Sequence, residues 1–416
     1  MIKLHMCFLL KICVITAATN KTFLDTPDNL TLFRLMRTWI LNNFEKGQRL
    51  DAQKAGIVQK EFPINVPFPC NVTGGRSPTV PDSVNRLRPG DIDVIAAMGD
   101  SITTGAGLLA TNTMQLSIEN RGMMATIGGE ETWRKVLTLP NIFKNFFYVQ
   151  EFNHNLIGYA LGNSLTSHPA SQLNVAEGGA LSMDMPYMAK FLINRMKKDP
   201  RIDINNHWKF ISILIGPNDF CAMCNNPSPS IILKNHKKDL INTLRILRDN
   251  LPRSFVAVII SPHIKEVAKA RRGRFSWRCY LISTIECPCL LAVQYKERRQ
   301  EYFEIINKWQ ELEEEIVNYP EFHTNNFTVI SLPAIKNIKV PLAEDGLTDL
   351  SYFSIDCFHL SQKSHAILAY NIWNNLLEPI GNKSNQMSYQ NFFKTFLCPI
   401  SERPYLMTRE NSRNII

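Results

Sequence analysis

The sequence predicts an α/β fold in which a mainly parallel sheet is covered on both faces by helices. Two observations carry this. Four short apolar runs, 94–97, 210–215, 255–261 and 329–332, have the length and composition of buried parallel strands. Segments of helical period follow them: 232–247, the face formed by Tyr302, Ile305, Trp309, Leu312 and Ile316, and 361–377. Strands alternating with helices favour a parallel sheet with helices on both sides. At 45% hydrophobic and 20% charged over 416 residues, the composition is that of a globular chain able to build one large domain.

Taken in order, residues 1–18 have the features of a secretory signal: Lys3 near the start, an apolar stretch over 6–17 interrupted by Lys11, and the small pair Ala17-Ala18. Residues 19–90 form an N-terminal extension and connector. Within it Leu32, Phe33, Met36, Ile40 and Phe44 recur at helical spacing behind Asp28 as a cap. Residues 63–81, rich in proline and glycine, are irregular. The α/β domain is expected over 91–385, and 386–416 as a C-terminal tail. The acidic run Glu313 to Glu315 falls off the apolar face of its helix and is expected in solvent. No later segment approaches the length of a membrane span, and the last thirty residues are polar, so neither a span nor a lipid anchor is expected.

Ten cysteines are present. Cys7 and Cys13 fall in the expected signal, and the even remainder favours disulfides in a secreted chain. Cys221 with Cys224, and a local set among Cys279, Cys287 and Cys289, are the candidates. The Cys-x-x-Cys spacing also occurs in redox and zinc sites, but no second pair stands with histidines at ligand spacing, so no metal is expected. Glycosylation sequons stand at Asn20, Asn29, Asn71, Asn326 and Asn382. Of the net charge of +9, the densest part is 265–278, with Lys265, Lys269, Arg271, Arg272, Arg274 and Arg278. It is either a solvated loop or a contact for anionic lipid headgroups. No nucleic-acid recognition motif accompanies it.

Chemistry concentrates in four places. The first strand runs into Gly99-Asp100-Ser101, which puts a serine at the carboxyl end of a strand, where open α/β sheets hold their ligands. A second glycine loop, Asn174-Val175-Ala176-Glu177-Gly178-Gly179-Ala180, follows. Gly216-Pro217-Asn218-Asp219 ends the next strand, and Asp356-Cys357-Phe358-His359 lies near the carboxyl end. A serine hydroxyl needs a base to remove its proton during attack. His359 can be that base, with Asp356 fixing its tautomer. Asp100 and Asp219 are expected as hydrogen-bonding and turn residues.

These blocks resemble those of the GDSL-type (SGNH) hydrolases, whose Ser, Gly, Asn and His correspond to Ser101, Gly179, Asn218 and His359. Arg86-Leu87-Arg88-Pro89-Gly90-Asp91, Ile127-Gly128-Gly129, Leu139-Pro140-Asn141-Ile142, Cys221-Ala222-Met223-Cys224 and Cys287-Pro288-Cys289 resemble the phospholipase B branch, and the resemblance covers roughly residues 67–405. Gly178 stands where that branch carries proline, and Ala125-Thr126 where it carries Trp-Ser. The resemblance implies a three-layer α/β/α fold. It implies an oxyanion hole of the Ser101 and Gly179 backbone N–H groups and the Asn218 amide. It also implies a secreted lipase that hydrolyses fatty-acyl esters of phospholipids and lysophospholipids without a cofactor, in transient contact with membrane surfaces. A broader carboxylesterase or acylglycerol lipase is the alternative, and a non-catalytic lipid-binding protein a third reading. Residues 105–131, with many glycines and methionines and no period, either line the acyl site or form an ordinary surface loop.

Overall fold

The computed structural model of the chain describes residues 27–146, 155–222, 224, 230–268, 277–389 and 392–413. The expected signal over 1–18, Asn20, the side chain of Asn29, and Lys269, Arg271, Arg272 and Arg274 lie outside them.

The chain contributes strands β1 (Ile92–Gly99), β2 (Trp208–Leu214), β3 (Ser254–Ile259) and β4 (Phe327–Leu332) to one parallel sheet in the order β1-β2-β3-β4. Around it lie α1 (Pro27–Phe44), α2 (Ser101–Thr104), α3 (Leu139–Phe146), α4 (Met185–Lys198) and α5 (Pro217–Ala222). Further on come α6 (Ser230–Asn250), α7 (Trp277–Glu286), α8 (Arg299–Val317) and α9 (Gln362–Leu377). Every residue of β1, β2 and β3 is buried, as strands covered on both faces must be. Alternate residues feed two cores. Ile95, Ala97, Phe210, Phe255 and Ile330 pack with α3 and α9. Val94, Ala96, Ile211, Val256 and Val329 pack with α4, α6 and the end of α8. The result is three layers, α/β/α.

β1 has neighbours on both sides. Opposite β2, Ile95 N–H donates to Ile157 O (2.9 Å), Ala97 N–H to Leu173 O (3.1 Å), and Glu177 N–H to Gly99 O (3.1 Å). The chain therefore leaves β1 for one side and returns on the other. That is a topological switch point, where a crevice opens at the strands' carboxyl ends.

Three expectations change. Glu313 is buried, because α8 is wedged between the sheet and a further apolar cluster around Phe220 and Trp309 and so buries more than one face. The described part of the expected tail, 386–389 and 392–413, is packed: Phe396 and Leu406 join the core, Cys398 is bonded to Cys70, and Leu406 N–H donates to Leu87 O (2.8 Å). Residues 105–131 are no surface loop, since Leu108, Ala110, Met124, Ala125 and Ile127 are buried.

Candidate active site

Ser101 opens α2 directly after β1. Gly99 has φ +153°, and a Cβ there would lie 2.3 Å from Leu214 O, so only glycine lets β1 end this close to β2. Asp100 caps the short helix, its Oδ1 accepting the Ile102 N–H at 2.9 Å. Its buried carboxyl is lifted to about 7 by desolvation.

His359 reaches Ser101 from the far end of the chain. Its Nε2 lies 2.8 Å from Ser101 Oγ and its Nδ1 2.7 Å from Asp356 Oδ2. Asp356 is fully buried, and its Oδ1 accepts the backbone N–H groups of Phe358 and His359, both at 2.9 Å. Between them Cys357 holds φ +58°, a left-handed turn unusual for a residue with a side chain, and a disulfide to Cys279 anchors it. Burial lowers the proton affinity of His359, but the charge and hydrogen bond of Asp356, with Glu286 and Asp100 behind them, more than reverse this and raise its pKa to about 9.

The other two blocks lie on the segment that flanks β1 and on the loop that follows β2. Gly179, at φ +83°, ends the segment that flanks β1. Asn218 is the second residue of α5, after β2, and its Nδ2 donates to Ala180 O at 2.9 Å. Asp219 accepts from Ser182 N–H (3.0 Å) and Ser182 Oγ (3.1 Å), so the two loops are tied twice. Burial raises Asp219 to about 7. Asp100 and Asp219 thus hold turns and loops.

Sequence reasoning missed two charged residues. Arg121 is fully buried, and its guanidinium donates to Glu119, to the carbonyls of Ser164, Asn174 and Ala176, and to Thr166 Oγ1. Arg37 of α1 pairs with the same Glu119. This network fixes the segment leading to Gly179. Glu286, at the end of α7, places Oε1 3.9 Å from His359 Nδ1. Among the described residues, Glu286, Asp356 and His359 are the one grouping whose ligand-type atoms lie close enough to share a cation, within 4.8 Å. Asp356 and His359 are already engaged with each other and with Ser101, so the grouping has the chemistry of a base and its surrounding charges. The departures Ala125 and Thr126 are buried beneath the sheet, where Ser212 Oγ lies 3.0 Å from Thr126 Oγ1.

The disulfide candidates all form bonds, but Cys221 does not pair with Cys224, and Cys279, Cys287 and Cys289 do not pair among themselves. Cys221 pairs with Cys287, Cys224 with Cys289 and Cys279 with Cys357. Cys221 lies in α5 and Cys224 beyond its end, and both reach the same short stretch, Cys287-Pro288-Cys289.

The arrangement is a hydroxyl, a base in contact with it, an acid orienting the base, and two loops that can present N–H donors. It suits acyl transfer. The GDSL-like Lipase/Acylhydrolase family model matches residues 95–372, about two thirds of the chain. The chain is 37% identical over 341 residues to a Homo sapiens protein named phospholipase B1, membrane-associated, covering 81% of this chain and 22% of that protein. Its Rattus norvegicus counterpart is 35% identical over 343 residues, covering 82% and 23%. The chain thus spans under a quarter of the length of these relatives. The crystal structure of an extracellular lipase from Streptomyces rimosus overlaps 68% of this chain and 98% of its own, at 12% identity and a TM-score of 0.31.

Proposed function

The chain belongs to the GDSL-like lipase/acylhydrolase family of ester hydrolases, and from that membership we propose that it is a phospholipase B-like lipase acting on fatty-acyl esters of phospholipids and lysophospholipids. The observation that carries this is the hydrogen-bonded relay from Ser101 Oγ through His359 to Asp356. Ser101 Oγ attacks the ester carbonyl while His359 Nε2 takes its proton. Asp356 keeps the Nδ1–H tautomer and stabilises the imidazolium. The Ser101 and Gly179 N–H groups and the Asn218 amide receive the oxyanion; losing one such donor typically costs about 10²–10³ in turnover. His359 returns the proton to the departing alcohol. Water, activated by the same imidazole, then splits the acyl-serine to release the fatty acid.

The phospholipid substrate is supported by similarity to proteins named phospholipase B1 over about four fifths of the chain. An extracellular setting is supported by four disulfides, and by exposed sequons at Asn71, Asn326 and Asn382. Among the described residues no helix is long and apolar enough to cross a membrane. Transient contact with a lipid surface is supported by Trp277, Tyr280 and Leu281, exposed on α7, which is bonded through Cys279 to the His359 loop.

Mass spectrometry of products from mixed-acyl phosphatidylcholine tests the reading. Fatty acid and lysophospholipid are expected from the wild type and neither from Ser101→Ala, and a phosphonate ester should label Ser101. Activity surviving that substitution, with label on another serine, would overturn it.

A further inference from the structure

We infer that Glu286 is a positioning residue of the catalytic base, whose charge sets the pH range over which His359 can accept the serine proton. This rests on the serine-hydrolase reading above and adds to it a residue with no place in the Ser-His-Asp relay.

The geometry is confined. Glu286 Oε1 lies 3.9 Å from His359 Nδ1, too far for a hydrogen bond and near enough for strong charge coupling. Its other oxygen, Oε2, is buried with no hydrogen-bond partner among the described residues. A glutamate at a helix end ordinarily swings its carboxyl into water. This one turns its carboxyl to His359, on a stretch that disulfides hold on either side: the next residue, Cys287, is bonded to Cys221, and Cys279, two turns earlier, to Cys357 between Asp356 and His359. An unpaired buried carboxyl oxygen is a standing cost that mere packing does not require.

The titratable groups facing the pair are Asp356 from the His359 loop, Asp100 from the cap of α2, and His365 from α9. Burial, and then the charge of Asp356, hold the Glu286 carboxyl well above the ordinary carboxylate range. When His359 becomes imidazolium, the positive charge favours the Glu286 carboxylate. The two groups then titrate as a coupled pair. An ionised Glu286 stabilises protonated His359, so it raises the pH at which the free enzyme regains a neutral base.

The experiment is the pH dependence of kcat/KM on a soluble short-chain ester, from about pH 5 to about pH 11, for wild type, Glu286→Gln and Glu286→Asp. Gln removes the charge and keeps the size. Its acid limb is expected to move to lower pH by about one unit, with thermal stability no lower than wild type. Asp keeps the charge and should leave the limb near the wild-type position. Coincident acid limbs for wild type and Gln, or a folded Gln variant inactive at every pH, would overturn the inference. If Gln does not fold, NMR titration of His359 in the wild type decides: two coupled steps are expected, and one simple step refutes it. Because Ser101→Ala tests the hydrolase reading separately, failure here leaves that reading standing.

Discussion

Replacing Asp356 by asparagine isolates the orienting role of the acid, because the structure dictates how the new amide must sit. Asp356 Oδ1 accepts two backbone N–H groups, from Phe358 and His359, both at 2.9 Å. In Asp356→Asn the amide oxygen must keep that position, since an NH₂ there would face two donors. The NH₂ then occupies the place of Oδ2, 2.7 Å from His359 Nδ1. A donor at that point forces Nδ1 to accept, so the ring's proton moves to Nε2, the atom that must take the Ser101 proton. The ring is then in the wrong tautomer while the turn stays intact. The comparable tautomer inversion in serine proteases costs about 10⁴ in turnover, or about 5.5 kcal/mol of transition-state stabilisation. The assay is kcat on a soluble short-chain ester, with thermal unfolding measured in parallel. Turnover should fall by about four orders of magnitude with little change in stability. Asp356→Ala should behave differently: it also removes the acceptor of two backbone N–H groups, at about 0.5–1.5 kcal/mol each, and so should unfold more readily. An Asn variant within tenfold of wild type would refute the tautomer argument and Asp356's place in the relay.

Burial lifts the Glu313 carboxyl from 4.5 to about 8, so between those values the folded state holds a proton that the unfolded chain has released, and stability falls as pH rises. Urea unfolding should therefore show Glu313→Gln gaining on wild type with rising pH by up to about 1.4 kcal/mol per unit; a pH-independent difference would contradict the burial argument. Non-reducing peptide mapping should join Cys221 to Cys287, Cys224 to Cys289, Cys279 to Cys357 and Cys70 to Cys398; a single peptide closed by Cys221 and Cys224 would refute that pairing. Hydrolysis of a soluble ester should persist in excess EDTA, and activity that vanished with chelator and returned with calcium or zinc would replace the serine mechanism.

What was legible in the sequence was local. The strand before Ser101 shows itself as an apolar run, Gly99 as a chain end, and Asp356 and His359 as residues close enough to share one loop. Each of these signals lies within about ten residues of its partner. What was not legible depends on segments that meet only after folding. Arg121 finds Asn174 and Ala176, more than fifty positions on, and nothing in its own neighbourhood marks it as buried. Glu286 meets His359 across a separation that no periodicity encodes. Cys221 and Cys224 have the spacing of a local motif, yet their partners lie 66 and 65 residues away. Glu313 misled because helical periodicity assumes one buried face, whereas α8 is enclosed on two, with Trp309 Nε1 and Ser261 N–H available to bond its carboxyl.

These long-range contacts have a common effect. Acyl transfer requires a nucleophile, a base and oxyanion donors held within fractions of an ångström while carried by different loops. Ser101 and Asn218 follow the ends of β1 and β2 within two and four residues, so the sheet holds them. His359 has no such support, because it follows a long, mostly irregular stretch after β4, the kind of segment that opens locally at low cost. The disulfides compensate for this. From Asn218 the chain reaches Cys221, crosses to Cys287 beside Glu286, runs back along α7 to Cys279, and crosses again to Cys357 beside His359. This path ties the Asn218 side of the site to His359 without passing through the sheet. In an oxidising setting it restricts the base loop even where the hydrogen-bonded ladder does not reach. Cys221, Cys287, Cys279 and Cys357 thus keep one irregular loop in register with two strand ends.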